Sequence, residues 1–237
     1  MNSNFLSIYY SFALYAVLKF DTLFKHKAII VSILVIGIIQ IFSVIGLISM
    51  IIILILKVLP KSLPKIAVVL FSTFLVLISL ISLGNELREK PNYLKKLEKI
   101  ESRAIIWPIA IETIRENPLF GLGIKNAQKM LESKYPKKGD FGFISQMTKK
   151  DAHNMYIQII LEIGIIGFLL FLFNIVFFIK KTKKYKYALV CKVFIFLCLT
   201  IFFTESALAT YAFLSFFSFF YCLLFSISIN NVNMQDY

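Results

Sequence analysis

Six long apolar runs, residues 5–18, 28–56, 66–83, 155–179, 193–204 and 206–229, carry no charged side chain except Glu162 and constrain this 237-residue chain more than any other feature. A helix of about 20 apolar residues spans the ~30 Å hydrocarbon core of a bilayer. The third, fourth and last runs meet that length alone. The fifth meets it if residues 187–192 are added, with Lys192 reaching back to the surface along its own stem. The first is short, lacks the basic start of a signal peptide, and reads as a short or truncated first span. Apolar residues make up 59% of the chain and charged residues 16%, against about 45–50% and a quarter in soluble domains. Such a composition excludes a soluble globular enzyme, a disordered chain and a disulfide scaffold. The three cysteines, Cys191, Cys198 and Cys222, sit inside apolar runs without CxxC spacing and read as packing residues.

The fold class expected is all-α, a polytopic transmembrane helical bundle of about seven spans with a large outer loop containing amphipathic helices. As one helix, the 29 residues of 28–56 would be about 44 Å long at 1.5 Å per residue, too long for one upright crossing. Lysine placement separates the alternatives. Three clusters, Lys19/Lys25/Lys27, Lys57/Lys61/Lys65 and residues 180–192, lie in short connections and hold 12 of the 26 basic residues. Short basic connections stay inside, so an even number of crossings must separate the first two. The run is therefore expected to be a hairpin that turns outside near residues 40–44. The net charge of +13 then reflects orientation and membrane lipids rather than nucleic acid.

The same parity puts residues 84–152 outside. Expected divisions are residues 1–83 as N-terminal transmembrane helices, 84–152 as an extracytoplasmic catalytic loop, 153–229 as C-terminal transmembrane helices and 230–237 as a polar tail. Within the loop, Ile106, Ile109, Ala110, Thr113 and Ile114 follow one helical face, with Pro108 tolerated near a start or kink. Asn117-Pro118 should end that helix, and Gly121-Leu122-Gly123 should make a turn. Residues 126–133 can form a short helix. The loop is expected to lie as an amphipathic element on the outer membrane surface.

Arginine occurs only three times among the 26 basic residues, as Arg88, Arg103 and Arg115, all in this loop. A planar guanidinium fork suits a diphosphate; chance usage explains the same scarcity. His153 stands at the outer end of the longest clean span, where Asn154 or Asp151 can cap the helix. It is either a general base or an interfacial histidine. Glu162, further along the span, is either functional or a buried hydrogen-bonded carboxyl. Gly164 and Gly167 allow close helix approach, Trp107 suits an interfacial belt, and Glu205 reads as interfacial. No metal site or cofactor motif is present.

One ordered set of residues now stands together: Arg103-x3-Trp107, Asn117-Pro118-Leu119-Phe120-Gly121-Leu122-Gly123, His153-Asn154, and Glu162-Ile163-Gly164-x2-Gly167. This set resembles the signature region of the O-antigen ligase/polymerase superfamily of bacterial envelope glycosyltransferases. The resemblance covers about residues 102–170 and corresponds to the C-terminal half of longer family chains. It implies a metal-independent, cofactor-free glycosyltransferase in the bacterial cytoplasmic (inner) membrane. The donor would be a polyprenyl-diphosphate-linked glycan on the outer face, and the acceptor a glycan or a lipid. His153 matches the family's base for the acceptor hydroxyl, and Arg103 the arginine that holds the diphosphate. Arg115, Lys125, Asn154, Tyr156 and Glu162 are substrate-binding candidates from position. Where the family carries a Ser-Arg pair at an outer turn, this chain has Ser43-Val44.

Polymerase is slightly favoured over ligase. The alternatives are a truncated non-catalytic remnant, an assembly partner among other polysaccharide-assembly proteins, or a small transporter, which should show broken spans near the bilayer middle.

Overall fold

The computed structural model describes residues 2–20, 26–41, 43–58, 102–134 and 151–233. The expected span at 66–83, Arg88, the remaining first part of the long loop and the segment 135–150 lie outside them. The described residues hold eight α-helices and no strand. They are α1 (Ser3–Lys19), α2 (Lys27–Gln40), α3 (Val44–Val58), α4 (Ser102–Glu116), α5 (Ile124–Lys134), α6 (Met155–Lys181), α7 (Ala188–Phe202) and α8 (Tyr211–Asn233). They fall into two compact units.

The first unit contains α1, α2, α3 and the Lys192–Ile201 stretch of α7. The long apolar run 28–56 is two helices, since α2 ends at Gln40 and α3 begins at Val44. Helix α1 buries Phe5, Ile8, Phe12, Leu14, Tyr15 and Val17, and the Phe12 ring packs 5.4 Å from that of Phe194. The contact between α1 and α3 is polar at one end. Ser7 Oγ donates to Ser43 Oγ at 3.2 Å, and Ser43 Oγ donates to Asn4 Oδ1 at 2.8 Å. Gly46 lies so close to Ser7 that a Cβ would overlap it. Small residues with hydroxyl bonds hold helices together where lipid supplies no hydrophobic drive.

The second unit contains α4, α5, α6, α8 and the adjoining end residues of α7. Helices α6 and α8 are long and apolar enough to cross a membrane. Their apolar side chains stay largely uncovered: Leu170 is 64% exposed, Phe173 67% and Phe219 61%. The core helix of a soluble protein would bury such residues, so lipid is their natural neighbour. The two helices join through aromatic rings, with Phe178 and Tyr221 4.5 Å apart. Tyr221 donates its hydroxyl to Asn174 Oδ1 at 2.6 Å. Helices α2, α7 and the apolar part of α3 are shorter, so among the described residues two helices are of full spanning length; the expected seven spans include one outside these residues.

The loop helices pack together against α6. Ile106 and Ala110 of α4, Ala127 and Leu131 of α5 and Leu161 of α6 form one buried cluster. Trp107, Ile109, Ile114, Leu122 and Ile157 pack around it. Each large aliphatic side chain removed from water there contributes about 1.5–3 kcal/mol, which a water-facing surface helix would forgo. The first part of α6 is therefore covered by protein, and its bare apolar surface begins at Ile163 and Ile165.

Candidate functional site

The span expected to be uninterrupted is broken. Gly164 has φ 68° and ψ −174° inside α6, a region that essentially only glycine enters. An unbroken helix would direct Ile165 N–H to Leu161 O and Ile166 N–H to Glu162 O. Both bonds are replaced by the turn that follows α4. Ile165 N–H donates to Pro118 O at 2.9 Å and Ile166 N–H to Leu119 O at 3.3 Å. In return, Leu122 N–H donates to Leu161 O at 3.0 Å and Gly123 N–H to Glu162 O at 2.8 Å. All four groups released by the break are thus paired. Gly164 is not simply a small residue for helix approach, as the sequence suggested. It lets the backbone of the turn enter the helix. Gly121, at φ 68°, answers from the other side, since a Cβ there would lie 2.6 Å from Glu162 C and Gly164 N. The Pro118–Gly123 turn and the Glu162–Gly167 segment are therefore two halves of one joint.

The histidine lies at the start of the same helix. Asn154 caps α6, accepting from Tyr156 N–H at 3.0 Å and Ile157 N–H at 3.1 Å, the bonding expected of an asparagine N-cap. Its Nδ2 donates to Phe203 O at 3.2 Å. Asn154 is therefore a buried structural residue. His153, one residue earlier, has φ 46°, a left-handed conformation that costs a residue with a Cβ about 1–2 kcal/mol. His153 N–H donates to Asp151 Oδ1 at 2.9 Å, and Trp107 Nε1 donates to Ala152 O at 3.0 Å. Trp107 is thus a fastening between α4 and the loop ahead of the histidine.

Two carboxylates face the imidazole. His153 Nδ1 is 3.6 Å from Asp151 Oδ1 and 3.7 Å from Glu205 Oε2. These separations exceed a direct hydrogen bond but suit ion pairing with a protonated ring. The His153 side chain is 30% exposed and that of Glu205 13%, so the ring faces solvent on one side and acidic groups on the other. Glu205 did not stand out in the sequence, because it lies 52 positions from the histidine and no local pattern joins them.

The other expected residues separate into two groups. Tyr156 lies in the first turn of α6, its ring 4.8 Å from Phe203 and 6.2 Å from Phe202. Glu162 accepts from Gln158 Nε2 at 2.5 Å, and its carbonyl belongs to the joint. Arg103 lies in the first turn of α4, one helical turn before Trp107; its side chain lies outside the described ones. Arg115 is in the last turn of α4, about 12 Å along the axis beyond Trp107, and is exposed. Lys125 is exposed in the first turn of α5. Lys134 pairs with Glu116 to tie the C-terminal ends of α4 and α5, a surface contact of small energetic weight.

A broken apolar helix, an amphipathic helix pair docked into the break, and a carboxylate-flanked histidine at the helix start together define a membrane protein with a polar site at the end of a span. The chain belongs to the O-antigen ligase family, whose pattern it matches over residues 5–172. It is 33% identical over 105 residues to a Rickettsia conorii protein named as a polysaccharide ligase. That alignment takes in 42% of this chain and 24% of the relative's length. No solved structure matches the chain.

Proposed function

We propose that this chain carries the reaction centre of a membrane glycosyltransferase that moves a glycan from a polyprenyl-diphosphate carrier to an acceptor hydroxyl on the outer face of the bacterial cytoplasmic membrane. The observation that carries this reading is His153, fixed at a helix start with two carboxylates within 4 Å of Nδ1. The acidic pair lies beside Nδ1, and Nε2 serves as the proton acceptor. As the acceptor oxygen bonds to the anomeric carbon and the carbon–oxygen bond to the diphosphate breaks, Nε2 takes the hydroxyl proton. Asp151 and Glu205 then lie beside the resulting imidazolium. Arg103, on the helix that fastens the histidine loop, holds the diphosphate and stabilises the charge on it as it departs. Tyr156, Lys125 and Arg115 are secondary contacts along the bound glycan or its carrier.

A transporter would use the carbonyls of a broken span to coordinate its cargo. Here Leu161 O and Glu162 O are already occupied by the turn, which favours the transferase. The acceptor is a second glycan or a lipid. A ladder of product lengths identifies a polymerase, and a single addition identifies a ligase. His153→Ala and Arg103→Ala are each expected to abolish transfer in membranes with protein level unchanged. Full transfer in either variant would overturn the assignment.

A further inference from the structure

His153 needs more than its own loop to hold its conformation, and the residues on that loop and on α6 show what supplies the rest. Ala152, fully buried, donates its N–H to Gln158 Oε1 at 3.0 Å. Gln158 is itself buried, at 2% exposure, and donates Nε2–H to Glu162 Oε1. A side-chain amide can turn either end toward a partner. The N–H of Ala152 settles the choice, because it can only donate and so fixes Oε1 toward itself. Nε2 is then left to donate to Glu162 Oε1. Three bonds consequently hold the two peptide planes ahead of His153. Gln158 takes the N–H of Ala152, Trp107 supplies a proton to the carbonyl of Ala152, and Asp151 accepts from the N–H of His153.

The path continues into the joint. Glu162 is the residue whose carbonyl accepts from Gly123, two positions before the left-handed Gly164. The break that admits the turn therefore also fixes the backbone that carries the Glu162 carboxyl. We propose that Gln158 and Glu162 are positioning residues for His153: Glu162 holds the Gln158 amide from its nitrogen end, and Gln158 clamps the Ala152 peptide so that the imidazole meets the acceptor hydroxyl at a fixed place. The proposal rests on the catalytic reading of His153 and moves Glu162 from substrate contact to support. Displacing a reacting group by an ångström costs on the order of a hundredfold in rate.

The test uses the full chain with undecaprenyl-diphosphate oligosaccharide from host membranes as donor. Gln158→Leu removes both bonds and is expected to lower kcat roughly 10–100-fold with little change in KM, and to speed hydrogen exchange at the Ala152 amide. Gln158→Glu keeps the acceptor for Ala152 but sets two carboxylates against each other, and is expected to lower kcat similarly. Adding Glu162→Gln reverses donor and acceptor between the two side chains and should restore kcat and slow exchange. Rescue by that double change separates positioning from a general need for these side chains. The proposal is overturned if Gln158→Leu leaves kcat or Ala152 exchange unchanged, or if the double variant stays as slow as Gln158→Glu. If His153→Ala keeps full transfer, the catalytic reading fails instead, and the exchange measurement still decides whether Gln158 holds the loop.

Discussion

Replacing Gly164 by alanine tests whether the joint between the loop and α6 holds the site together. A Cβ at this position would overlap the carbonyl of Leu119 and the nitrogen of Phe120. Both are backbone atoms, and neither can swing aside as a side chain would. Nor does alanine tolerate φ 68° with ψ −174°. The least costly response is for the turn to leave and for α6 to straighten. Straightening restores two helical bonds, from Ile165 to Leu161 and from Ile166 to Glu162, but four loop–helix bonds are lost. The net loss of two bonds costs about 2 kcal/mol at ~1 kcal/mol each. Withdrawing the partly buried Leu122 from its cluster costs about 1 kcal/mol more. About 3 kcal/mol shifts the docked population roughly a hundredfold. Hydrogen exchange followed by mass spectrometry reads this directly at the Leu122 and Gly123 amides, which should lose protection by about that factor. Glycan transfer should fall with it. Gly123→Ala is the control: a Cβ there meets no atom within 4 Å, and only its φ of 81° is strained, at about 1–2 kcal/mol. Unchanged protection and transfer in Gly164→Ala would refute the joint as the element that fixes the site.

Asn154→Ala removes the cap of α6 and the bond to Phe203; it should lower stability by about 1–2 kcal/mol, seen as a lower melting temperature in detergent. Asn154→Asp keeps the acceptor for the cap and should recover most of that loss. Glu205→Gln keeps the shape beside His153 but removes one charge 3.7 Å from Nδ1; transfer should slow by about 10–100-fold, read as kcat with KM little changed. A single cysteine at Lys138 should react from outside the cell with a membrane-impermeant reagent, and protection there would reverse the expected orientation of the loop.

Local patterns account for much of the helical content. Apolar runs become α1, α2, α3, α6, α7 and α8 because apolar helices pair their own backbone groups wherever water is absent. Asn117-Pro118 stops α4 at Glu116, and asparagine begins α6, because stop and cap chemistry acts within one turn. The face Ile106, Ala110 and Thr113 is buried as its spacing suggests. His153 was visible from its place before a capped span. By contrast, Arg115 was grouped with Arg103 by residue type, and the helix carries it away from Trp107.

What the sequence by itself determined is therefore the helical character, the membrane chemistry and the short motifs, all properties of residues within a few positions of each other. Only the tertiary structure decided that these motifs meet. The turn at Pro118–Gly123 and the break at Gly164 look like separate glycine signals along the chain. They become one feature because each supplies the hydrogen-bond partners the other lacks. Glu205 approaches His153 through the packing of helices rather than through any spacing. Hydrogen-bond satisfaction between distant segments is a property of the whole fold, and no local period in the chain encodes it.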